Sequence, residues 1–329
     1  MIGQLFIATH NGVVEARRDG DRWVEAHKGL LYKNVTCITA REGVALAGTT
    51  EGIFRYDSER AASRKDPWTP ASDGLTIRHI RWLAYYPGVS DLEFAGTEPA
   101  GIFVSYDGAL SWRMCPEVAR YRDKYRWSLP YSPQAGCVRG FAFHGERAYA
   151  AVEDGGVLVS DDGGETWQVA QGSRGPADHD PPASYIHSDV HSFEVHPSSP
   201  DLVFAPTGGG FYRSGDGGES WDYLYDCYCR AAWVDPNDPA HIVLGPADGV
   251  DQNGRIEETI DGGKTWTPAS TGLSVPWNNT MVERFIQVDD ALLAVLSNGE
   301  LIAAPLEGLA WRQILPDVRG VSAVAPMVE

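Results

Sequence analysis

The segment HDPPASYIHSDVH (179–191) brings three side chains with metal-binding chemistry close together, His187, Asp189 and His191. Residues two apart on an extended strand project to the same side, so these three are expected to share one face. Imidazole and carboxylate groups are ligands of zinc, manganese or iron, and a divalent metal site is one interpretation. Two others remain open: the residues line a pocket for a polar ligand, or they are ordinary loop residues.

Arginines recur at one position when seven segments of alternating apolar residues are aligned. The third residues of NVTCIT, HIRWLA, CVRGFA, DVHSFE, YCRAAW, VERFIQ and GVSAVA are Thr36, Arg81, Arg139, His191, Arg230, Arg284 and Ser322. Converging guanidinium groups repel one another unless anions neutralise them, so the four arginines and His191 are candidate ligand-binding residues. The alternative is a structural ring in which each arginine pairs with a carboxylate. A slip of one residue in any segment turns its side chains to the other face.

A loop with basic and aromatic residues, RYRDKYRWSLPYSPQ (120–134), adds Trp127 and Tyr131 to the candidate ligand-binding residues. Such residues suit a carbohydrate or another anionic ligand. The alternative is that both rings pack over the edge of the fold. The candidates for acid/base catalysis are Asp189, Glu283 and Asp123. The sequence contains no nucleophile motif, phosphate loop or dinucleotide fingerprint.

An acidic turn is present four times, which indicates a structural role. SDDGGETW (160–167), SGDGGESW (214–221) and TIDGGKTW (259–266) are near copies, and SYDGALSW (105–112) is a looser one. These four segments are called the acidic turns below. A site for one chemistry is rarely repeated four times, whereas Asp162 and the two glycines after it suit a tight turn with backbone N–H groups bonded to the carboxylate.

The elements that must position these residues follow from a sevenfold repeat. Tryptophans spaced by 44 to 55 residues mark the units: Trp23, Trp68, Trp112, Trp167, Trp221, Trp266 and Trp311. A glycine before apolar residues keeps the same register: Gly12, Gly52, Gly101, Gly156, Gly210, Gly254 and Gly299. One unit contains four alternating segments, 138–146, 147–154, 157–162 and 166–171, which are typical of antiparallel strands. Seven such units predict an all-β, seven-bladed β-propeller.

The two ends of the sequence complete one blade. The chain begins with strands two to four of a unit, and RGVSAVAP (319–326) is a lone first strand. Pairing it with the N-terminal strands closes the ring without an open edge, so residues 1–329 are predicted to form a single domain. Long loops at 113–136, 168–188, 246–254 and 267–281 are expected on the face opposite the acidic turns, called the loop face, which usually holds a propeller's site.

The pattern S/T-x-D-x-G-x-T/S-W resembles the Asp-box, or BNR repeat, of sialidase-like propellers in the wider WD40/YVTN/BNR-like group. The boxes at Asp162, Asp216 and Asp261 are clear, the one at Asp107 is degenerate, and three units keep only the tryptophan. The resemblance covers the whole chain, is greatest to uncharacterised bacterial members, often labelled glycosyl hydrolase, and implies the fold rather than one activity. The Arg-Ile-Pro motif near a sialidase's N-terminus is absent, which argues against sialidase activity.

The composition limits which partners and which cellular compartment are expected. The formal net charge of −18 argues against nucleic acid and anionic membranes as partners of the surface as a whole. No stretch approaches the ~20 apolar residues of a membrane span, and the N-terminus does not read as a signal peptide. The five cysteines have no metal-site spacing, so reduced thiols in a cytoplasmic protein are expected.

These observations predict a cytoplasmic propeller that acts as a binding or scaffold protein for a small anionic or carbohydrate-like ligand at the mouth of its channel. The alternative is a glycosidase-like hydrolase or a lyase that uses the same pocket, with or without a divalent metal. A third class is a platform for a protein partner on the loop face. The sequence names no certain cofactor and leaves open whether the protein is an enzyme.

Overall fold

Seven four-stranded antiparallel sheets form a closed ring, as predicted. The structure is a computed structural model that describes residues 1–61, 67–132 and 135–328. The first three blades and the strand that closes the first of them are β1 (Gln4–Thr9), β2 (Gly12–Asp19), β3 (Arg22–Gly29), β4 (Val35–Arg41), β5 (Val44–Thr49), β6 (Gly52–Asp57), β7 (Thr69–Pro70), β8 (Ile80–Tyr85), β9 (Glu93–Thr97), β10 (Gly101–Ser105), β11 (Arg113–Met114) and β28 (Val321–Pro326).

The remaining four blades follow the same order of strands. They contain β12 (Cys137–His144), β13 (Arg147–Glu153), β14 (Gly156–Ser160), β15 (Gln168–Val169), β16 (Glu194–Val195), β17 (Val203–Thr207), β18 (Gly210–Ser214), β19 (Asp222–Tyr225), β20 (Tyr228–Asp235), β21 (Asp238–Ala247), β22 (Glu257–Thr259), β23 (Thr267–Pro268), β24 (Val282–Val288), β25 (Ala291–Leu296), β26 (Leu301–Pro305) and β27 (Arg312–Gln313). The part of the chain that the structure describes contains two short helices, α1 (Ser58–Ala61) and α2 (Pro116–Tyr125). In the described ranges, neither helix is long and apolar enough to cross a bilayer.

The acidic turns join the third and fourth strands of their blades. In the turn at 160–167, Asp162 Oδ1 accepts the backbone N–H of Thr166 at 2.9 Å and the Ser160 hydroxyl at 2.7 Å. Asp162 Oδ2 accepts the Thr166 hydroxyl at 2.6 Å, and both glycines have positive φ. The Trp167 ring is 3% exposed and contacts Phe94 and Phe141 of two neighbouring blades. The turn therefore fixes the tryptophan that seals the space between two sheets.

The C-terminal strand closes the ring, as the sequence predicts. β28 pairs antiparallel with β1, with Val324 opposite Ile7. The Ser322 hydroxyl also donates to the backbone carbonyl of Val35 in the second blade at 2.6 Å. β28 thus completes one blade and fastens it to the next.

Two elements differ from the prediction. The loop at 113–136 contains the helix α2, which has Pro116 in its first turn and ends at Arg126 in the left-handed conformation. Its only buried residue is Val118, so the sequence has too weak an apolar face to predict a helix. The first strand of the fifth blade is also shorter than predicted, because Pro206 on the neighbouring strand has no N–H to donate to residues 190–193.

Candidate functional site

One polar residue from each blade projects into the channel near the start of the first strand. In six blades this residue is an extra one in the pairing with the second strand, a β-bulge, which turns its side chain out of the sheet. In the fifth blade it follows Val190, which forms an isolated bridge to Thr207. We call these seven residues the ring: Thr36, Arg81, Arg139, His191, Arg230, Glu283 and Ser322.

The seventh blade differs from the sequence alignment by one residue. Val282 pairs with Leu296 and Arg284 with Val295, so the bulged residue is Glu283. Glu283 therefore occupies the position that the alignment gave to Arg284, and the ring contains three arginines and a glutamate. Arg284 lies one residue further along the channel, at the level of Trp82 in the third blade.

The three ring arginines are paired with carboxylates. Arg81 lies 3.2 Å from Glu98, and Arg139 lies 3.4 Å from Glu153 and 3.6 Å from Glu283. Arg230 forms a short ion pair with Glu283 and donates to the Tyr228 hydroxyl at 3.0 and 3.1 Å. Burial lowers the pKa of Arg139, but Glu153 and Glu283 outweigh it and raise the pKa overall. This part of the ring matches the ion-pair alternative of the sequence analysis.

Arg284 is bonded differently from the ring arginines. Among the described residues, no carboxylate oxygen lies within 4.0 Å of its guanidinium group. The group lies over the Trp82 ring, 4.1 Å from the centroid, and donates to the Thr36 carbonyl at 3.4 Å. Burial and the nearby Arg139 lower the pKa of Arg284 to about 10, so it stays protonated at neutral pH. Glu283 acts in the opposite direction on this pKa, but the guanidinium group forms no ion pair with a carboxylate of the described residues.

Two cavities lie along the channel, and Arg284 lines both of them. The cavity on the loop face, called the mouth, has a volume of about 370 Å³ and is polar, with His10, Asn34, Thr50, His79 and Ser297 around the ring residues. The second cavity, of about 560 Å³, extends toward the opposite face, and Phe141, Phe143, Phe285 and Trp82 contribute to its lining. The polar mouth is therefore the better place for an anionic or hydroxylated ligand.

His191 and Asp189 are brought together, whereas His187 lies apart from them. His191 Nε2 is 3.1 Å from Asp189 Oδ2, and His191 Nδ1 donates to the Cys229 carbonyl at 2.8 Å. The His187 ring instead stacks on His179, with 5.1 Å between centroids, and its Nδ1 accepts the backbone N–H of Asp189 at 3.2 Å. Glu153, rather than His187, lies next to Asp189 and His191. Each of these three side chains has one oxygen or nitrogen atom within 4.8 Å of those of the other two.

The residues of the loop 120–134 are spread over different environments. Trp127 is completely buried and donates its indole N–H to the Gly175 carbonyl at 2.6 Å, so it joins two loops and has no free face for a ligand. Tyr131 is 61% exposed. Asp123 is exposed, pairs with Arg122, and lines a separate cavity. Gln134 lies outside the described residues.

Three carboxylates near Arg139 are held in their charged form. Burial raises the pKa of Asp189, but His191 and Arg139 outweigh it and lower the pKa to about 2. Burial is likewise outweighed by Arg139 at Glu153 and by Arg230 at Glu283, and both pKa values are lowered. A general acid needs a pKa near the working pH, so these three groups are poorly suited to donate a proton. Their charged state suits binding better than acid catalysis.

Glu98 and Glu153 are functional candidates that the sequence analysis missed. Each directly follows or ends the second strand of its blade, and each pairs with the ring arginine of that same blade. Aligning the ends of the second strands, in addition to the first strands, would have identified Glu98 and Glu153 from the sequence. Tyr228, two residues before Arg230, has no such repeated counterpart.

Comparison with known proteins identifies the fold. No protein-family model matches the sequence, and no curated protein is significantly similar to it. An ancestral GH74 enzyme is 17% identical with a TM-score of 0.60, over 82% of this chain and 36% of that chain. The GH74 xyloglucanase from Xanthomonas campestris is 16% identical with a TM-score of 0.61, over 87% of this chain and 46% of that chain. YCF48 from Cyanidioschyzon merolae is 12% identical with a TM-score of 0.60, over 96% and 97%.

At such low identities these likenesses establish the fold alone. The chain also spans less than half the length of the two GH74 proteins.

Proposed function

We propose that this propeller is a binding protein whose mouth takes a small, hydroxylated anion of the sugar-acid class. The observation that carries the proposal is Arg284, a residue of the mouth lining whose guanidinium group forms no ion pair with a carboxylate of the described residues. A carboxylate on a ligand neutralises such a group and forms charge-assisted hydrogen bonds with it. The three ring arginines, already paired with carboxylates, serve to hold the mouth in shape.

The other groups around the mouth favour a hydroxylated ligand over a bare anion. Asn34, Thr50, His79 and Ser297 offer both donors and acceptors, and a volume of about 370 Å³ is within the range of small-molecule sites. The carboxylates at Glu283 and on the nearby Glu98 accept hydrogen bonds from hydroxyl groups and repel a ligand of high negative charge. The fold shared with a GH74 xyloglucanase is consistent with a carbohydrate-like ligand.

The charged state of the carboxylates favours binding over hydrolysis. Hydrolysis of a glycosidic bond by paired carboxyl groups needs one of them protonated near neutral pH. Asp189, Glu153 and Glu283 all have lowered pKa values, and Asp123 lies at a separate cavity. Of the neighbouring acids, Asp154 has a pKa raised by burial, but it lies 2.7 Å from His179 Nε2.

Calorimetric titration with D-glucuronate tests the proposal, with D-glucose and sulfate as the comparison ligands. We expect glucuronate to bind more tightly than either, because only it offers both a carboxylate and hydroxyl groups. Arg284→Gln should weaken glucuronate binding by about 1.5–3 kcal/mol, the range for a hydrogen bond to a charged group.

Arg213→Gln is the matched control. Arg213 lies on β18, pairs with Asp222 at 2.9 Å, and lines neither channel cavity. The control variant should bind glucuronate as the unchanged protein does. Equal affinity of Arg284→Gln and Arg213→Gln for the sugar acid, or no binding by the unchanged protein, contradicts the proposed function.

A further inference from the structure

Three side chains of the fourth and fifth blades, Glu153, Asp189 and His191, form a compact set of metal-ligand atoms. One oxygen or nitrogen of each lies within 4.8 Å of those of the other two. Glu153 and His191 are buried, at 8% and 1% exposed, whereas the Asp189 side chain keeps 21% of its surface accessible. The set is therefore largely buried, and Asp189 is its accessible member.

The backbone fixes how His191 faces this set. Its Nδ1 lies 2.8 Å from the Cys229 carbonyl, an oxygen that only accepts, so Nδ1 carries a hydrogen. In a neutral ring, Nε2 then presents a lone pair to Asp189 Oδ2 at 3.1 Å, with the Tyr228 hydroxyl also 3.3 Å from Nε2. Two lone pairs at that distance repel each other unless a proton or a metal cation lies with them. Orientation of a ligating histidine by a carbonyl on its other nitrogen is usual at metal sites.

Asp189 supplies an independent observation. Its Oδ1 is a buried oxygen with no hydrogen-bond partner among the described residues, an arrangement that is costly for a carboxylate. The side chain lies against Gly208, where an added Cβ would be only 2.2 Å from Oδ2. The glycine thus leaves just enough space for Asp189 to turn toward His191, while one of its oxygens remains without a protein donor.

From this geometry we infer a binding site for one divalent transition-metal ion, Mn²⁺ or Zn²⁺, with Glu153, Asp189 and His191 as the protein ligands. One imidazole and two carboxylates form a donor set that suits these ions. Glu153 takes the place of His187, which the sequence suggested as a ligand, because His187 stacks on His179 and packs against Gly209. The inference does not depend on the sugar-acid ligand, because Arg284 belongs to a different set of contacts.

Arg139 is the neighbour that most opposes a metal ion. It lies 3.4 Å from Glu153 Oε2, which also accepts the Cys137 thiol at 2.9 Å. Arg139 is shared with Glu283, so its charge is divided between two carboxylates.

Calorimetric titration of chelator-treated protein with MnCl₂ and with ZnCl₂, without any organic ligand, tests the inference. We expect one ion per chain. Glu153→Gln, Asp189→Asn and His191→Gln should each weaken binding by at least about tenfold, since even outer-shell substitutions cost that much. His187→Gln is the matched control and should bind the ion normally, because His187 is adjacent in sequence but outside the set.

Pulsed electron paramagnetic resonance of Mn²⁺ bound to the unchanged protein gives a second readout that does not rely on any variant folding. We expect nitrogen coupling from one imidazole. The site is overturned if the unchanged protein does not bind the ion or binds it without nitrogen coupling. It is also overturned if His187→Gln loses binding while Glu153→Gln keeps it. Because glucuronate plays no part in these experiments, their failure leaves the proposed function to its own test.

Discussion

At the residue scale, the ring is built by one extra residue in the first strand of six blades, with His191 in the same position in the fifth. A bulge frees the side chain from the alternation of the sheet, so residues distant in the sequence reach the same ring. The two smallest ring residues also link neighbouring blades. The Thr36 hydroxyl donates to the Ile80 carbonyl at 2.5 Å, and the Ser322 hydroxyl donates to the Val35 carbonyl. The ring therefore combines a structural role, between blades, with the charges that face the channel.

Gly208 is a position where the packing of this site can be tested. In Gly208→Ala the new methyl group would overlap Asp189, with 2.2 Å to Oδ2 and 3.0 Å to Cγ. Asp189 must then move away from His191, and we expect a loss of about 1–3 kcal/mol in the free energy of unfolding, as for other overpacked sites. Urea unfolding at neutral pH measures the loss.

Gly215→Ala is the control for this substitution. No atom lies within 4 Å of its added Cβ, and neither glycine has a positive φ. We expect the control to leave stability unchanged or slightly raised. If the two variants unfold at the same urea concentration, Asp189 is not held where the structure has it.

At the element scale, the acidic turns make the stability of the propeller sensitive to acid. Hydrogen bonds from the turn lower the pKa of Asp107, Asp162 and Asp216 against the effect of burial, and lower that of Asp261 to about 2. A carboxyl group whose pKa is lower in the folded state stabilises the fold above its unfolded pKa. That contribution is lost as the pH falls from about 4 toward 2.

Asp162→Asn tests this dependence. At neutral pH we expect it to lower the free energy of unfolding by about 1–2 kcal/mol, because the amide keeps only part of the bonds to Ser160 and Thr166. The difference from the unchanged protein should shrink as the pH falls toward 2, since Asp162 is then protonated. Thermal melting across this range measures it, and a difference that stays constant with pH would show that the charge of Asp162 is unimportant.

The elements themselves could largely be predicted from the sequence, because each blade repeats the same local pattern. Strand alternation, the turn glycines and the repeated tryptophans all point to one architecture. The helix α2 could not, since a charged segment with one buried residue has little periodicity. The site was predicted less completely. The first-strand alignment located the ring, but it slipped by one residue at Glu283 and contained no information on Glu98 and Glu153, which come from other strands.

At the scale of the whole molecule, the closed ring keeps the mouth in shape. β28 brings the C-terminal segment into the first blade, and its Ser322 forms a hydrogen bond to the second blade. Both blades therefore depend on β28. Removal of residues 319–329 exposes the edge of β1 and should cause aggregation or a much lower melting temperature. Differential scanning calorimetry and size-exclusion chromatography measure both outcomes. A truncated chain that melts as the full chain does would mean that the ring closes without β28.

A crystal structure of the protein with D-glucuronate shows whether the mouth binds a sugar acid through Arg284. We expect the ligand in the mouth, with its carboxylate within hydrogen-bond distance of the Arg284 guanidinium and its hydroxyl groups near Asn34, Thr50 or Ser297. Arg81, Arg139 and Arg230 should keep their carboxylate partners. An empty mouth at saturating glucuronate, or a ligand bound elsewhere with Arg284 still over Trp82, would contradict the account.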